Sequence, residues 1–172
     1  MTTISKIEAI SPLDGRYRSK VEELKHYFSE YALQKFRIKV EIEYFIFLME
    51  QGFFTIPTNL LSKRSSLRGI YASFNIHEAE KIKKIESTTN HDVKAVEYYI
   101  KERLKTYGLE DYLEYVHFGL TSQDINSTST SLMMMTSMDS VMLPNLNNLL
   151  TKIKNLSQDY LNIPMLSRTH GQ

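Results

Sequence analysis

Hydrophobic residues along this chain recur at intervals of three and four positions and do not alternate with polar ones. This spacing is typical of amphipathic helices, which bury one face against a core. Six glycines and four prolines in 172 residues leave long segments without a helix breaker. The pattern therefore predicts an all-α protein.

Capping residues and stop signals predict where the earlier helices begin and end. Serine and asparagine can accept a hydrogen bond at a helix start, and glycine can adopt the left-handed conformation that ends one. Four helices are predicted before residue 110: Ser29 to Gly52, a shorter helix after residues 57–58, Asn75 to about Ser87, and Asp92 to Gly108.

A helical pattern of about forty residues, from 121 to 161, is the longest in the chain. At about 1.5 Å per residue it would extend ~60 Å, so its apolar stripe needs long partner helices from elsewhere. Pro144 lies inside the pattern and predicts a kink, because proline removes one helical hydrogen bond. The methionines at 133–135 and 138 favour core packing over a binding surface.

Charge and composition narrow the classes of function. Twenty-one basic and twenty acidic residues leave a net charge of +1, which predicts neither a nucleic-acid partner nor an anionic membrane partner. Neither a membrane-spanning apolar run nor a signal-peptide core is evident, so we expect a cytoplasmic protein. The absence of cysteine excludes disulfides and thiolate chemistry.

Four polar segments lie at predicted helix boundaries, where side chains are free to contact a ligand. They are residues 11–17 (SPLDGRY), 88–94 (TTNHDVK), 117–124 (HFGLTSQD) and 167–172 (SRTHGQ). Arginine can bind phosphate bidentately, helix starts favour anions, and histidine exchanges protons near neutral pH. Each segment also has an ordinary structural interpretation: a turn, a helix cap with a solvated histidine, a second cap, and an inert loop.

The histidines do not predict a metal site. His91, His117 and His170 are far apart in the sequence and lack the short spacings that metal-binding pairs show. We therefore expect no metal ion.

Together and in this order, the four segments resemble those of the adenylosuccinate lyases, a family within the fumarase and aspartase superfamily. Residues 11–17 and 88–97 carry the specific part of the resemblance, whereas the other two segments occur more widely in the superfamily. The resemblance implies a small helical domain over residues 1–111. Residues 112–172 would then begin the helical bundle through which four subunits associate.

The resemblance also implies a reaction, without a cofactor, on a small nucleotide substrate. The family eliminates fumarate from adenylosuccinate to give AMP, and from SAICAR to give AICAR. The matched residues are His170 as general acid, Arg16 and Tyr17 for the nucleotide, Asn90, His91 and Asp92 for substrate binding, and Thr121 and Ser122 for the succinyl group. His117 and Lys94 are lesser candidates.

The family's serine loop, G-S-S-x-M-P-x-K-x-N, which carries the general base, has no counterpart among these 172 residues. We therefore expect a truncated chain that is inactive by itself. Two alternatives stay open: a non-catalytic all-α protein that associates through its long helix, and another fumarate-releasing lyase such as argininosuccinate lyase.

Overall fold

A computed structural model describes residue 5, residues 7–54 and residues 64–166 of the chain. Every regular element in these ranges is helical, which confirms the all-α prediction. The chain divides into two compact units, Met1–Thr136 and Ser137–Gln172. The domain boundary predicted after residue 111 stays a prediction.

The described elements follow one another along the chain. They are the 3-10 helices Arg18–Lys20 and Glu22–Leu24, α1 (Lys25–Phe28), α2 (Glu30–Glu50), α3 (Arg64–Ala72), α4 (Ile76–Thr89), α5 (Asp92–Lys105), the 3-10 helix Glu110–Tyr115, α6 (Ser122–Ser137), the π-helix Met138–Met142 and α7 (Leu143–Asp159).

The predicted caps fix the ends of the earlier helices. The Ser29 hydroxyl accepts the Ala32 N–H at 3.2 Å at the start of α2, and Gly52 follows its end with a φ of 73°. Asn75 caps α4 in the same way, by accepting the Glu78 N–H. The start of the helix predicted after residues 57–58 lies outside the described residues.

Helix α2 is the centre of the first unit and packs against α3, α4 and α5. Its side chains Ile38, Ile42 and Phe45 are fully buried, and Phe54 just beyond it stacks on Tyr115 with ring centroids 4.0 Å apart. Burying each such side chain stabilises the fold by about 1.5–3 kcal/mol. The α2 helix is therefore a rigid base for the loops that follow α4 and precede α6.

No loop separates α6, the π-helix and α7, so Pro144 lies inside a continuous run of helical residues. Proline has no N–H to donate to the carbonyl four residues earlier, and the chain adapts just before it. The Leu143 N–H bonds the Met138 oxygen five residues back, and the Asn145 amide donates to the Val141 oxygen at 2.8 Å. A π-turn therefore accommodates the proline.

The methionine prediction was mostly wrong. Met133 is buried, but Met134, Met135 and Met138 are between 38% and 58% exposed. Apolar side chains of α7 are exposed to a similar extent: Leu146, Leu149, Leu150, Ile153 and Leu156. These side chains are therefore accessible in the described part of the chain.

Among the helices in the described ranges, none is long and apolar enough to cross a membrane.

Candidate functional site

The loop between α4 and α5 is the first part of the site, and its conformation follows from two residues. Asn90 has a φ of 53° and donates its N–H to the Glu86 oxygen at 2.8 Å, which ends α4. Asparagine tolerates this left-handed conformation better than most residues. His91 then caps α5, because its Nδ1 accepts the Lys94 N–H at 3.2 Å.

The capping hydrogen bond determines which nitrogen of the His91 ring carries the hydrogen. A nitrogen that accepts a hydrogen bond carries no hydrogen, so the neutral ring bears its hydrogen on Nε2. That Nε2 lies 3.5 Å from the Ser122 hydroxyl at the start of α6. The structure thus joins two of the predicted segments, which are 31 residues apart in sequence, at the N-termini of two helices.

Arg37 of α2 fixes the position of both segments. Its side chain is only 6% exposed, and it donates to Asp92 at 2.6 Å and to Asn126 of α6 at 2.9 Å. Burial raises the pKa of Asp92, but the Val93 N–H and the Arg37 guanidinium outweigh it and hold the pKa below its ordinary value. One Asp92 oxygen is therefore occupied by an ion pair within the protein.

Thr121, just before α6, is hydrogen-bonded to Asp124 in the first turn of that helix. Its N–H and its hydroxyl both donate to one carboxylate oxygen of Asp124, at 2.7 and 2.9 Å. These two bonds hold the pKa of Asp124 below its ordinary value. The capping interpretation thus describes Thr121 well, whereas Ser122 is directed to His91.

His117, a lesser candidate, makes a contact that the sequence did not predict. It adopts a φ of 61° in the loop before α6, and its Nδ1 lies 2.5 Å from Oε1 of the buried Glu41 on α2. The other lesser candidate, Lys94, is bonded to both oxygens of Glu97, at 3.0 and 2.8 Å.

Arg16 and Tyr17 form a separate pair at the surface. The guanidinium lies over the Tyr17 ring, 5.2 Å from its centroid, and the Tyr17 N–H bonds the Pro12 oxygen at 2.8 Å. Among the described residues, no hydrogen bond or ion pair links this pair to the other predicted site residues. A cleft of about 330 Å³ lies nearby, between residues such as Asp14 and Phe28.

His170, the predicted general acid, lies outside the described residues. Within the part of the chain that the structure describes, no group of three or more His, Asp or Glu side chains is arranged to hold a metal ion.

The chain is similar to known proteins over nearly its whole length. A protein-family model described as a lyase matches residues 15–172. The adenylosuccinate lyase of Dictyostelium discoideum is 48% identical over 176 residues, which cover 98% of this chain and 37% of that protein. Those of Haemophilus influenzae and Escherichia coli K12 are 46% and 45% identical over 171 residues, again 98% of this chain and 38% of each protein.

The chain thus spans less than two fifths of the length of these relatives. The family match nonetheless includes all the site segments described above except the first residues of the amino-terminal turn. The chain therefore belongs to this family of lyases, and adenylosuccinate lyases are the members that it resembles.

Proposed function

We propose that these residues form the amino-terminal part of an adenylosuccinate lyase, which eliminates fumarate from adenylosuccinate to give AMP and from SAICAR to give AICAR. The observation that carries the proposal is the contact of His91 with Ser122, at 3.5 Å, which unites two segments typical of these enzymes.

Electrostatics at this contact suit an anionic substrate. The N-termini of α5 and α6 meet there, and each carries partial positive charge from the aligned peptide dipoles. The Ser122 hydroxyl and the His91 Nε2–H are uncharged groups that can donate hydrogen bonds to carboxylate oxygens. This combination can hold the succinyl carboxylates without a metal ion or an excess of basic side chains.

The chemistry needs two proton transfers. A base removes a proton from the succinyl carbon next to a carboxylate, the electron pair forms the carbon–carbon double bond, and the carbon–nitrogen bond breaks. An acid protonates the departing nitrogen. In this proposal His170 is that acid, Arg16 and Tyr17 hold the nucleotide, and the base comes from outside these 172 residues.

The complete enzyme is proposed to be a cytoplasmic homotetramer that serves AMP biosynthesis. The support for assembly is the exposed apolar face of α7, which includes Leu146, Leu150 and Ile153. A face of this kind normally packs against other helices.

The test is the release of fumarate by the complete protein from three substrates: adenylosuccinate, SAICAR and argininosuccinate. We expect release from the first two and none from the third. Release from argininosuccinate alone would establish the other lyase. A folded protein that releases fumarate from none of them would favour a non-catalytic role for the α7 face.

The role of His170 has its own test. His170→Ala should lower turnover of adenylosuccinate by about two to four orders of magnitude, the usual contribution of a general acid. The surface variant His77→Ala is a suitable control, because His77 lies on the exposed side of α4. Equal turnover in the two variants would remove His170 from the mechanism.

A further inference from the structure

One face of α2 holds the loops of the candidate site. Arg37, Glu41 and Tyr44 are spaced by four and three residues, so they lie on the same side of the helix. Arg37 bonds Asp92, Glu41 bonds His117, and the Tyr44 hydroxyl donates to the Phe118 oxygen at 3.0 Å. A core helix thus carries a polar stripe whose partners belong to the site segments, apart from Asn126 of α6, which also bonds Arg37.

The contact of Glu41 with His117 is the most buried part of this stripe. The Glu41 side chain is 0% exposed, and that of His117 is 17% exposed. Oε1 of Glu41 bonds Nδ1 of His117, while Oε2 has no hydrogen-bond partner among the described residues. Buried carboxylates normally have several hydrogen-bond partners. Because Glu41 has this single partner, its carboxyl has a large influence on where the His117 ring carries its hydrogen.

Burial and neighbouring charges act on the Glu41 carboxyl in opposite directions. Burial, with the charge of Glu97, raises the pKa of Glu41 above its ordinary value, and the hydrogen bond and charge of His117 oppose that rise only in part. Glu97 of α5 also faces Glu41, but its own pKa is lowered, against its burial, by bonds to Lys94 and Lys101. Asp124 is a further acidic group within electrostatic reach of His117.

We propose that Glu41 is a positioning residue that fixes His117 in the tautomer with hydrogen on Nδ1. His91 is held in the opposite tautomer, because its Nδ1 accepts the Lys94 N–H. The site therefore offers its substrate one imidazole donor, Nε2 of His91, and one imidazole acceptor, Nε2 of His117.

This pairing is specific for a substrate that presents both an anionic oxygen and an N–H or O–H group. A donor nitrogen binds the oxygen, and an acceptor nitrogen binds the hydrogen of the second group. The inference rests on the proposed function in taking both histidines as residues that face the substrate. The contacts on which the two tautomers depend lie within the protein.

Nitrogen-15 NMR of histidine rings tests the tautomers without any substrate. In the chain labelled on histidine, at a pH where the rings are neutral, His117 should show a protonated Nδ1 and His91 a protonated Nε2. Glu41→Leu should abolish the His117 pattern and leave that of His91. Glu78→Leu is the control, because it removes a partly buried carboxylate that bonds Tyr99, away from the two histidines.

Kinetics of the complete protein test the positioning role. Glu41→Leu should lower kcat about 10- to 100-fold, the range known for hydrogen-bond partners of metal-bound histidines, with KM changed less than about threefold. Glu41→Gln should recover part of the loss, because its amide oxygen can still accept from Nδ1. Glu78→Leu should keep kcat close to the wild-type value.

The outcomes separate the two claims. Hydrogen on Nε2 of His117 in the wild-type chain, or unchanged kcat in a folded Glu41→Leu variant, would overturn the inference. An inactive wild-type protein would overturn the proposed function, while the NMR measurement would still decide whether Glu41 positions His117.

Discussion

At the scale of single residues, Asn90 combines a backbone role and a proposed binding role. Its φ of 53° is a conformation that glycine adopts freely and that alanine adopts at a cost of about 1 kcal/mol. Asn90→Gly should therefore leave the free energy of unfolding within about 0.5 kcal/mol, whereas Asn90→Ala should lower it by about 1 kcal/mol. Urea unfolding measures both.

Asn90→Gly also isolates the side chain in kinetics. Because the loop keeps its conformation, a rise in KM for adenylosuccinate would come from the lost amide. We expect KM to rise by about tenfold, the effect of one lost hydrogen bond of 1.4 kcal/mol. A wild-type KM in this variant would restrict Asn90 to capping α4.

The ion pair of Asp92 with Arg37 should contribute to stability. Asp92→Asn leaves a buried guanidinium with a weaker partner and should lower the free energy of unfolding by about 2 kcal/mol at pH 7. Asp14→Asn is the matched control, because it removes one carboxylate of the exposed pairs around Arg18 and should cost less than about 0.5 kcal/mol.

The sign of the pH dependence follows from the lowered pKa of Asp92. A carboxyl whose pKa is lower in the folded state stabilises the protein above its unfolded pKa, about 3.9, and loses that contribution as pH falls through the folded value. The difference between wild type and Asp92→Asn should thus be constant near neutrality and shrink below about pH 4. A difference that grows with acid would contradict the assignment.

Residues differ in how far the sequence could predict their contacts. His91 and Ser122 were named as candidate site residues because polar side chains at helix starts are a local signal, but their contact with each other was not predicted. Arg37 and Glu41 were missed, although charged residues at core-facing positions of α2 were visible in the sequence. Their partners are 55 and 76 residues away, and only the packing of α2 reveals them.

At the scale of elements, the π-helix before Pro144 gives a direct prediction. Pro144→Ala restores an N–H, so the segment can return to regular α-helical bonding, and the helix should gain up to about 3 kcal/mol. Circular dichroism should show a higher melting temperature for this variant. Pro164→Ala, which lies beyond the end of α7, should leave melting unchanged.

Helix ends were predictable, and exposed faces were not. Ser29, Asn75 and Gly52 act through local bonds or dihedral angles that follow from residue type. The stripe of α6 and α7 was predicted to need partners, but the sequence could not say which of its methionines would be buried. Coverage depends on where helices pack, which no local pattern encodes.

At the scale of the whole molecule, the exposed α7 face should drive association of this chain with itself. Leu150 is 62% exposed and Ile153 is 54% exposed, and each buried CH₂ is worth about 0.8 kcal/mol. We expect an oligomer in sedimentation velocity. Replacing both residues by glutamate should dissociate it, whereas Lys152→Glu on the same helix should not.

A monomeric wild-type chain would contradict this use of the α7 face. Fumarate release by the 172-residue chain alone would contradict a different expectation, namely that the general base lies elsewhere. Both measurements can be made on one sample.

The most direct test of the account is the rate of fumarate release from adenylosuccinate by the complete protein with Ser122→Ala. Ser131→Ala is the matched control, because Ser131 lies on an exposed part of the same helix. We predict that Ser122→Ala lowers kcat/KM by about 10²–10³, as for a lost donor to the reacting group, and that Ser131→Ala has no effect. Equal rates in both variants, or no release by the wild type, would contradict it.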